Sequence, residues 1–196
     1  MRTIDIHAHI TPVGFVEASH RGEAWHGMPP DSMSIHRNNP KTQWTPEERL
    51  ADMNSLGVDV QVLSTNAYFY AYDGDPATVK EMAKECNNYI AELVKDHPVR
   101  FSGFATLPMQ DIKASISELE RSMKLGLKGA IIGDHVNGET FDEKKFLPFW
   151  KAVETLGAVI LVHQGGETVV NHRISRYHLP NSIGNLADRA VNFASL

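Results

Sequence analysis

The stretch "IDIHAHI", residues 4–10, decides how the rest of the chain is interpreted. The run over Arg2–His7 is short and rich in residues that favour β-structure, which predicts a buried strand. Side chains alternate along a strand, so His7 and His9 point to the same side. A core strand has no use for two imidazoles, whereas one metal ion can bind both. The sequence therefore opens with what we interpret as half of a metal site.

Four more apolar segments with strand character follow, each separated from the next by a helical pattern. The predicted strands after the first are Val58–Thr65, Arg100–Pro108, Lys128–Gly133 and Ala158–His163. The predicted helices are 46–57, Asp75–Lys95, Asp111–Gly126, Asp142–Leu156 and 181–196. Residues 11–45 contain several Pro, Gly and Asn residues, which predicts a long irregular loop that is often functional.

This alternation of strands and helices predicts a parallel sheet covered by helices, of class α/β. Two closures remain open, a barrel and an open doubly wound sheet. No Gly-rich phosphate loop follows the first strand, which weakens the nucleotide-binding open sheet. A complete (β/α)₈ barrel needs about 250 residues, and the chain has 196. We expect one domain over residues 1–196 of the (β/α)₈ TIM-barrel type, truncated at the C-terminus, with about the first five β/α units.

Composition narrows the classes of partner and compartment. The net charge is −5 without a basic patch, which argues against a nucleic-acid partner. No apolar run reaches the roughly 18 residues of a membrane span, and Asp5, His7 and His9 interrupt what would be the apolar part of a signal peptide. The single cysteine, Cys86, excludes an internal disulfide and suits a reducing compartment. We predict a cytoplasmic protein with neither nucleic acid nor membrane as partner.

A third histidine, His163, ends the fifth predicted strand. The carboxyl ends of barrel strands meet at one face, which is the active-site face. His7, His9 and His163 would then form an open catalytic Zn²⁺ site, with nitrogen ligands at about 2.0–2.1 Å and a position left for water or substrate. The alternative is a set of strand-end histidines that only make hydrogen bonds. Three histidines at strand ends on one face favour the metal.

Other polar residues have weaker cases. His135 follows the fourth predicted strand on the functional face, where a site role and a surface role are equally supported. Asp134 is either a carboxylate near the metal or a turn residue. The remaining histidines are interpreted as loop, helix-end or pocket-lining residues: His20, His26, His36, His97, His172 and His178.

Six segments together resemble one known family. The segments "DIHAHITP", "GVDVQVLST", "RFSGFATLPMQD", "IIGDHVNG", "LVH" and "RYHLPNSIGN" are similar to the aminocarboxymuconate-semialdehyde decarboxylase family of the amidohydrolase superfamily. The resemblance runs from residue 3 to about residue 190. It implies a metal-dependent (β/α)₈ barrel, usually with Zn²⁺, that removes CO₂ without oxidation from an unsaturated or aromatic carboxylic acid.

The resemblance also implies roles for individual residues. His7, His9 and His163 match the metal histidines of the family. Arg37 lies near the position of an arginine that binds the substrate carboxylate, a task that suits its planar fork; otherwise it is a solvated loop charge.

Two positions depart from the family pattern. Tyr177 and His178 match an aromatic pair that lines the substrate pocket, but His178 stands where the family has an indole. Gln164 stands where the family has proline. The catalytic histidine after strand six and the metal-binding aspartate after strand eight have no counterpart in this sequence, so no acid/base residue is assigned.

Three interpretations of function follow. The first is a metal-dependent decarboxylase of a small carboxylic acid. The second is a metal-dependent hydrolase or hydratase that uses the same metal-bound water. The third is a catalytically incomplete fragment that needs a further segment or a partner chain. An incomplete barrel exposes two strand edges, so we expect self-association, as a homo-oligomer such as a dimer.

Overall fold

Strands and helices alternate along the chain in the computed structural model, which describes residues 1–30, 40–165 and 179–195. The strands are Ile4–His9 (β1), Val60–Ser64 (β2), Phe101–Gly103 (β3), Ala105–Thr106 (β4), Gly129–Ile132 (β5) and Val159–Val162 (β6). The α-helices are Val13–His20 (α1), Pro46–Leu56 (α2), Pro76–Asp96 (α3), Ile112–Lys124 (α4), Leu147–Leu156 (α5) and Asn185–Ser195 (α6). Short 3₁₀ turns cover Pro40–Gln43, Ala67–Phe69 and Lys144–Phe146, and a π turn covers Pro180–Gly184.

The strand order decides between the two closures that the sequence leaves open. All strand pairs are parallel, in the orders β1-β2-β3 and β4-β5-β6. Neighbours in the sheet are thus neighbours in the chain, as in a barrel, whereas a doubly wound sheet reverses its order at a switch point. The prediction of a partial (β/α)₈ barrel is confirmed.

The predicted strand Arg100–Pro108 is divided into β3 and β4. Phe104 lies between the two pieces, and its amide still donates to the carbonyl oxygen of Leu63, at 2.9 Å. Both pieces therefore occupy one position in the strand order, β3 against β2 and β4 against β5.

Side-chain caps explain why three helices begin where the sequence predicts. Thr45 and Glu48 form a capping box at the start of α2. Asp75 accepts a hydrogen bond from the amide of Thr78 at the start of α3. Asp111 accepts one from the amide of Ala114 at the start of α4. Each cap satisfies an amide that the first helical turn leaves unpaired.

Two parts of the helix prediction are wrong. Residues 11–45 are not irregular throughout, because α1 forms within them. Its buried residue Phe15 packs edge-on against Trp25 and Phe69, and this tertiary contact stabilises a helix that lacks a side-chain cap. The predicted helix Asp142–Leu156 begins as a 3₁₀ turn, and its α-helical part starts only at Leu147.

The two faces of the strands differ in what covers them. Leu63 and Ile132 point toward the helices and belong to the main apolar core with Met53 and Ile90. Because side chains alternate, Val62 and its equivalents lie on the opposite face, in a smaller cluster with Phe104, Ile131 and Tyr70.

Apolar side chains are exposed along both outer strands. In β1, Ile4 and Ile6 are 53% and 56% exposed, and in β6 Val159 is 53% exposed. In α6, Leu186 and Phe193 are each 62% exposed. Because β3 and β4 share one position, the strands form an arc of five positions, from β1 to β6. Both edges of this arc are open within the described residues.

None of the helices among the described residues combines the length and the apolar character needed to cross a membrane.

Candidate metal centre

A β-bulge shapes the strand that carries the first two histidines. Between neighbouring cross-strand pairs, β1 advances by three residues, from Asp5 to Ala8, while β2 advances by two, from Gln61 to Leu63. The extra residue in β1 is a bulge, a feature that redirects side chains and is frequent beside active sites. His7 lies within this bulge and His9 follows it, and both imidazoles meet at the carboxyl end of the strand.

The structure brings the three predicted imidazoles together. The Nε2 atom of His7 lies 3.0 Å from that of His9 and 3.1 Å from that of His163. The Nε2 atoms of His9 and His163 are 3.2 Å apart. The rings meet edge to face, with interplanar angles of 80–90°. Among the residues that the structure describes, these three form the group of ligand atoms suited to a metal ion.

Hydrogen bonds at the other ring nitrogen orient two of the imidazoles. Nδ1 of His163 lies 3.2 Å from the backbone carbonyl oxygen of Gln164, and Nδ1 of His9 lies 3.4 Å from the hydroxyl of Ser64. A carbonyl can only accept, so the proton of His163 sits on Nδ1 and its Nε2 presents a lone pair. Such an outer hydrogen bond is usual for histidines that bind metals.

Burial keeps the imidazoles of His9 and His163 neutral. Burial, together with the neighbouring His163 and His7, lowers the pKa of His9 to about 4. Burial also lowers the pKa of His163, and His7 acts in the same direction. Metal binding requires neutral imidazoles, so these groups can bind a cation at neutral pH without first losing a proton.

The arrangement fits a cation. With the ring protons on Nδ1, the three Nε2 lone pairs would face one another at 3.0–3.2 Å, and a positive charge between them would remove their repulsion. One ion at about 2.0–2.1 Å from each nitrogen can cap a triangle of this size. His163 is 5% exposed, whereas His7 is exposed, so one side of the triangle faces solvent and can admit water or substrate.

Asp134 and His135 lie directly after β5, beside the turn that follows His163. One carboxylate oxygen of Asp134 accepts a hydrogen bond from the amide of Gly165, at 2.8 Å, and lies 3.4 Å from Nδ1 of His135. The neighbouring carboxylate of Asp134 raises the pKa of His135. Asp134 and His135 therefore lie at the same end of the strands as His163, the end at which the sequence predicts the site.

The other predicted site residues, Arg37, Tyr177 and His178, lie outside the described residues, as do His36 and His172.

Two tyrosines that the sequence analysis missed also border the centre. The ring of Tyr70 lies 6.2 Å from that of His163 and stacks on Tyr72. The hydroxyl of Tyr72 accepts a hydrogen bond from the amide of Gly133, at 3.0 Å. Burial raises the pKa of both phenols, so they stay protonated. The signal was the aromatic run "YFYAY" after the second strand.

Buried polar atoms without partners accumulate near this face. The hydroxyl of Tyr70 and the second carboxylate oxygen of Asp134 are buried and have no hydrogen-bond partner among the described residues. Buried polar groups are normally paired, and exceptions often mark a ligand or water position. A polar ligand beside His163 would supply the missing partners.

Comparison with known proteins places this site in context. The family model described as amidohydrolase matches residues 4–192. The 2-amino-3-carboxymuconate-6-semialdehyde decarboxylase of Dictyostelium discoideum is 33% identical in an alignment that spans 206 positions, gaps included. The alignment covers 98% of this chain and 57% of that protein.

Two solved structures are similar over the whole chain. One is a dihydroxybenzoic acid decarboxylase from Polaromonas sp. JS666 with bound manganese and the inhibitor 2-nitroresorcinol, with a TM-score of 0.79 and 25% identity; the match covers 100% of this chain and 60% of that one. The other is a 2,6-dihydroxybenzoate decarboxylase complexed with 2,6-dihydroxybenzoate, with the same TM-score and identity and a coverage of 100% and 62%. The chain thus spans about three fifths of the length of these proteins.

Proposed function

This chain belongs to the amidohydrolase family, and we propose that it supplies the metal-binding part of a non-oxidative decarboxylase of an unsaturated or aromatic carboxylic acid. The observation that carries the proposal is the convergence of His7, His9 and His163, whose Nε2 atoms lie 3.0–3.2 Å apart. The decarboxylase from Dictyostelium discoideum, 33% identical over 98% of the chain, supports the reaction type.

The proposed cofactor is a divalent transition-metal ion held by these three histidines. Three imidazoles suit Zn²⁺, which is the ion predicted from the sequence, and the similar decarboxylase from Polaromonas sp. JS666 binds manganese. When bound, such an ion polarises a substrate oxygen or lowers the pKa of a bound water. Metal analysis of the purified chain, and titration of the metal-free chain with Zn²⁺ and with Mn²⁺, distinguish the two ions.

Residues around the metal position would bind and orient the acid. His135 keeps a positive charge to a higher pH because of Asp134, and that charge attracts a carboxylate. The hydroxyl of Tyr70 and the second oxygen of Asp134, which lack partners among the described residues, would hydrogen-bond polar substituents of the substrate. We further propose that Arg37 binds the substrate carboxylate through its planar fork.

The remaining roles come from the family resemblance. Tyr177 and His178 are proposed to line the substrate pocket. Transfer of a proton to the carbon that loses CO₂ is assigned to the catalytic histidine that the resemblance places after strand six.

Release of CO₂ tests the function. The chain, and any longer protein that contains it, are incubated with Mn²⁺ or Zn²⁺ and either 2,6-dihydroxybenzoate or 2-amino-3-carboxymuconate-6-semialdehyde. We expect CO₂ release with loss of substrate absorbance, abolished by thorough chelation and restored by added metal. Activity that persists after the metal has been removed would contradict the proposal.

The same assay detects hydrolysis or hydration. Oxygen from ¹⁸O-labelled water in the product, without CO₂, would assign the chain to the hydrolytic members of the family. Such members would use the same three histidines to hold the metal.

We also propose that the chain is one domain, residues 1–196, forming part of a larger barrel, and that it associates as a homodimer in the cytoplasm. The exposed residues Ile4, Ile6 and Phe193 support association. The buried, unpaired Cys86 supports a reducing compartment. Sedimentation analysis and cell fractionation test these two points.

A further inference from the structure

Arg49, on helix α2, makes an unusual set of contacts for a buried cation. Its residue is 5% exposed, and burial lowers the pKa of its guanidinium. It donates to the side-chain oxygen of Gln61 at 3.0 Å, to the backbone carbonyl of His9 at 2.5 Å and to the backbone carbonyl of Lys41 at 2.9 Å. A buried charge is costly unless hydrogen bonds compensate it, and one of these bonds ends on a proposed metal ligand.

The contacts continue from Gln61 through Asp5 to His7, the first histidine of β1. The side-chain amide of Gln61 donates to one carboxylate oxygen of Asp5, at 3.0 Å. The other oxygen of Asp5 accepts from the backbone amide of His7, at 3.0 Å. Arg49, Gln61 and Asp5 therefore form a continuous network that contacts the backbone of both His7 and His9.

This network is located at the β-bulge. Asp5 and Gln61 are the last cross-strand pair before the extra residue of β1. A bulge leaves the extra residue without its ladder hydrogen bonds, and here the carboxylate of Asp5 satisfies the amide of His7. After the bulge, the guanidinium of Arg49 binds the carbonyl of His9.

We propose that Arg49, Gln61 and Asp5 are positioning residues that fix the backbone of the bulge and thereby direct the imidazoles of His7 and His9 toward one metal ion. The inference rests on the proposed metal centre, but not on decarboxylation. It adds to that centre three residues that act on the imidazoles through the backbone of β1.

Exchanging the polarity of two network residues tests the inference. In D5N, the new amide faces the side-chain amide of Gln61, so two donors oppose each other. In Q61E, two carboxylate oxygens oppose each other. The double variant D5N/Q61E restores a donor facing an acceptor and keeps an acceptor for the amide of His7 and for Arg49.

Binding of Co²⁺ to the metal-free chain is the readout, through competition with a chromophoric chelator and through the visible spectrum of the bound ion. We expect each single variant to bind Co²⁺ about 10- to 100-fold more weakly, with an altered spectrum. The double variant should recover the wild-type affinity and spectrum. Q61M removes the hydrogen bonds of Gln61 to Arg49 and to Asp5 without adding a charge, and it should weaken Co²⁺ binding in the same range. It keeps the test valid if Q61E fails to fold.

A buried polar residue outside the network serves as the control. Ser115 is fully buried, and its hydroxyl donates to the carbonyl of Pro108, at 2.8 Å. S115A should lower the temperature of unfolding while leaving Co²⁺ affinity and spectrum unchanged.

The outcomes separate the inference from the metal centre. Wild-type Co²⁺ affinity and spectrum in folded Q61M or in both single variants would overturn the positioning role while leaving the three-histidine centre intact. Failure of D5N/Q61E to recover the affinity would also overturn it. Absence of Co²⁺ binding by the wild-type chain would overturn both the centre and the inference.

Discussion

His163 is the most buried of the three converging histidines, at 5% exposed. Its ring is held by the carbonyl of Gln164, and its amide donates to the carbonyl of Ile132, at 2.8 Å. A ligand fixed in this way loses little conformational freedom when a metal binds, so it should contribute strongly to affinity.

Replacing His163 with alanine should therefore abolish most metal binding. We expect H163A to weaken binding by more than the roughly 10- to 100-fold loss typical of removing a residue that only orients a ligand. Equilibrium dialysis with Zn²⁺ or Mn²⁺ measures the effect. H20A, at the last residue of α1, is the control and should bind metal as the wild-type chain does; equal affinity in H163A would show that His163 is not a ligand.

The metal-free chain should lose stability as pH falls from about 6.5 to about 4. His9 has a pKa of about 4 in the folded chain and one near 6.5 when unfolded. In that interval the unfolded state takes up a proton that the folded state does not, so the free energy of unfolding decreases as pH falls.

Urea unfolding of the metal-free wild-type chain and of H9Q across this pH interval measures the contribution. The decrease should be smaller in H9Q, which lacks the titrating group. An identical pH dependence in the two proteins would contradict the lowered pKa of His9.

Only part of the site is visible in the sequence. His7, His9 and His163 can be found because strand alternation and the common face of parallel strand ends place them together. Arg49 and Gln61 cannot, because the hydrogen bonds that matter depend on how α2 packs against β1. No local pattern encodes that packing.

At the scale of elements, Gly129 controls the contact between β5 and β6. It has φ +149°, and a Cβ atom there would lie 1.8 Å from the carbonyl oxygen of Val159. Gly138 also has a positive φ, +84°, but a Cβ atom there would meet nothing within 4 Å.

The two glycines give a matched pair of variants. G138A should cost only the backbone strain, about 1–2 kcal/mol in the free energy of unfolding. G129A should cost clearly more, since β5 and β6 must separate as well, and it should weaken metal binding because β6 leads into His163. Chemical unfolding and metal titration measure both effects. Equal losses of stability in the two variants would contradict the predicted clash.

The element prediction succeeds where local signals are strong. Helices α2, α3 and α4 begin at side-chain caps that the sequence displays. Helix α1 was missed because its start has no side-chain cap and its stability comes from contacts with residues distant in sequence. The division of β3 from β4 was missed because Phe104 continues an apolar run and only its pairing differs.

At the scale of the whole molecule, the metal position connects β1 to β6, the first and last strands among the described residues. His9 and His163 are 154 residues apart in the chain and 3.2 Å apart at Nε2. In a flat sheet, the strands that carry them would be about 19 Å apart, at roughly 4.8 Å per neighbour. The contact therefore depends on the curvature of the whole arc.

Metal binding should consequently stabilise the entire chain. At a free metal concentration about 100 times the Kd, binding adds about 2.7 kcal/mol to the free energy of unfolding. For a domain of this size, that raises Tm by about 5–11 °C. Calorimetry of the metal-free and metal-loaded chain measures the shift, and H163A should show a much smaller one. A wild-type Tm that does not respond to metal would contradict a bridging site.

Because His9 and His163 are 154 residues apart in the chain, binding of the metal during folding reports a late step of assembly. The ligand set is complete only once the fifth β/α unit has docked and the arc has curved, so earlier intermediates offer two imidazoles at most. The colour of bound Co²⁺ during refolding would therefore report the moment at which the last strand joins the first.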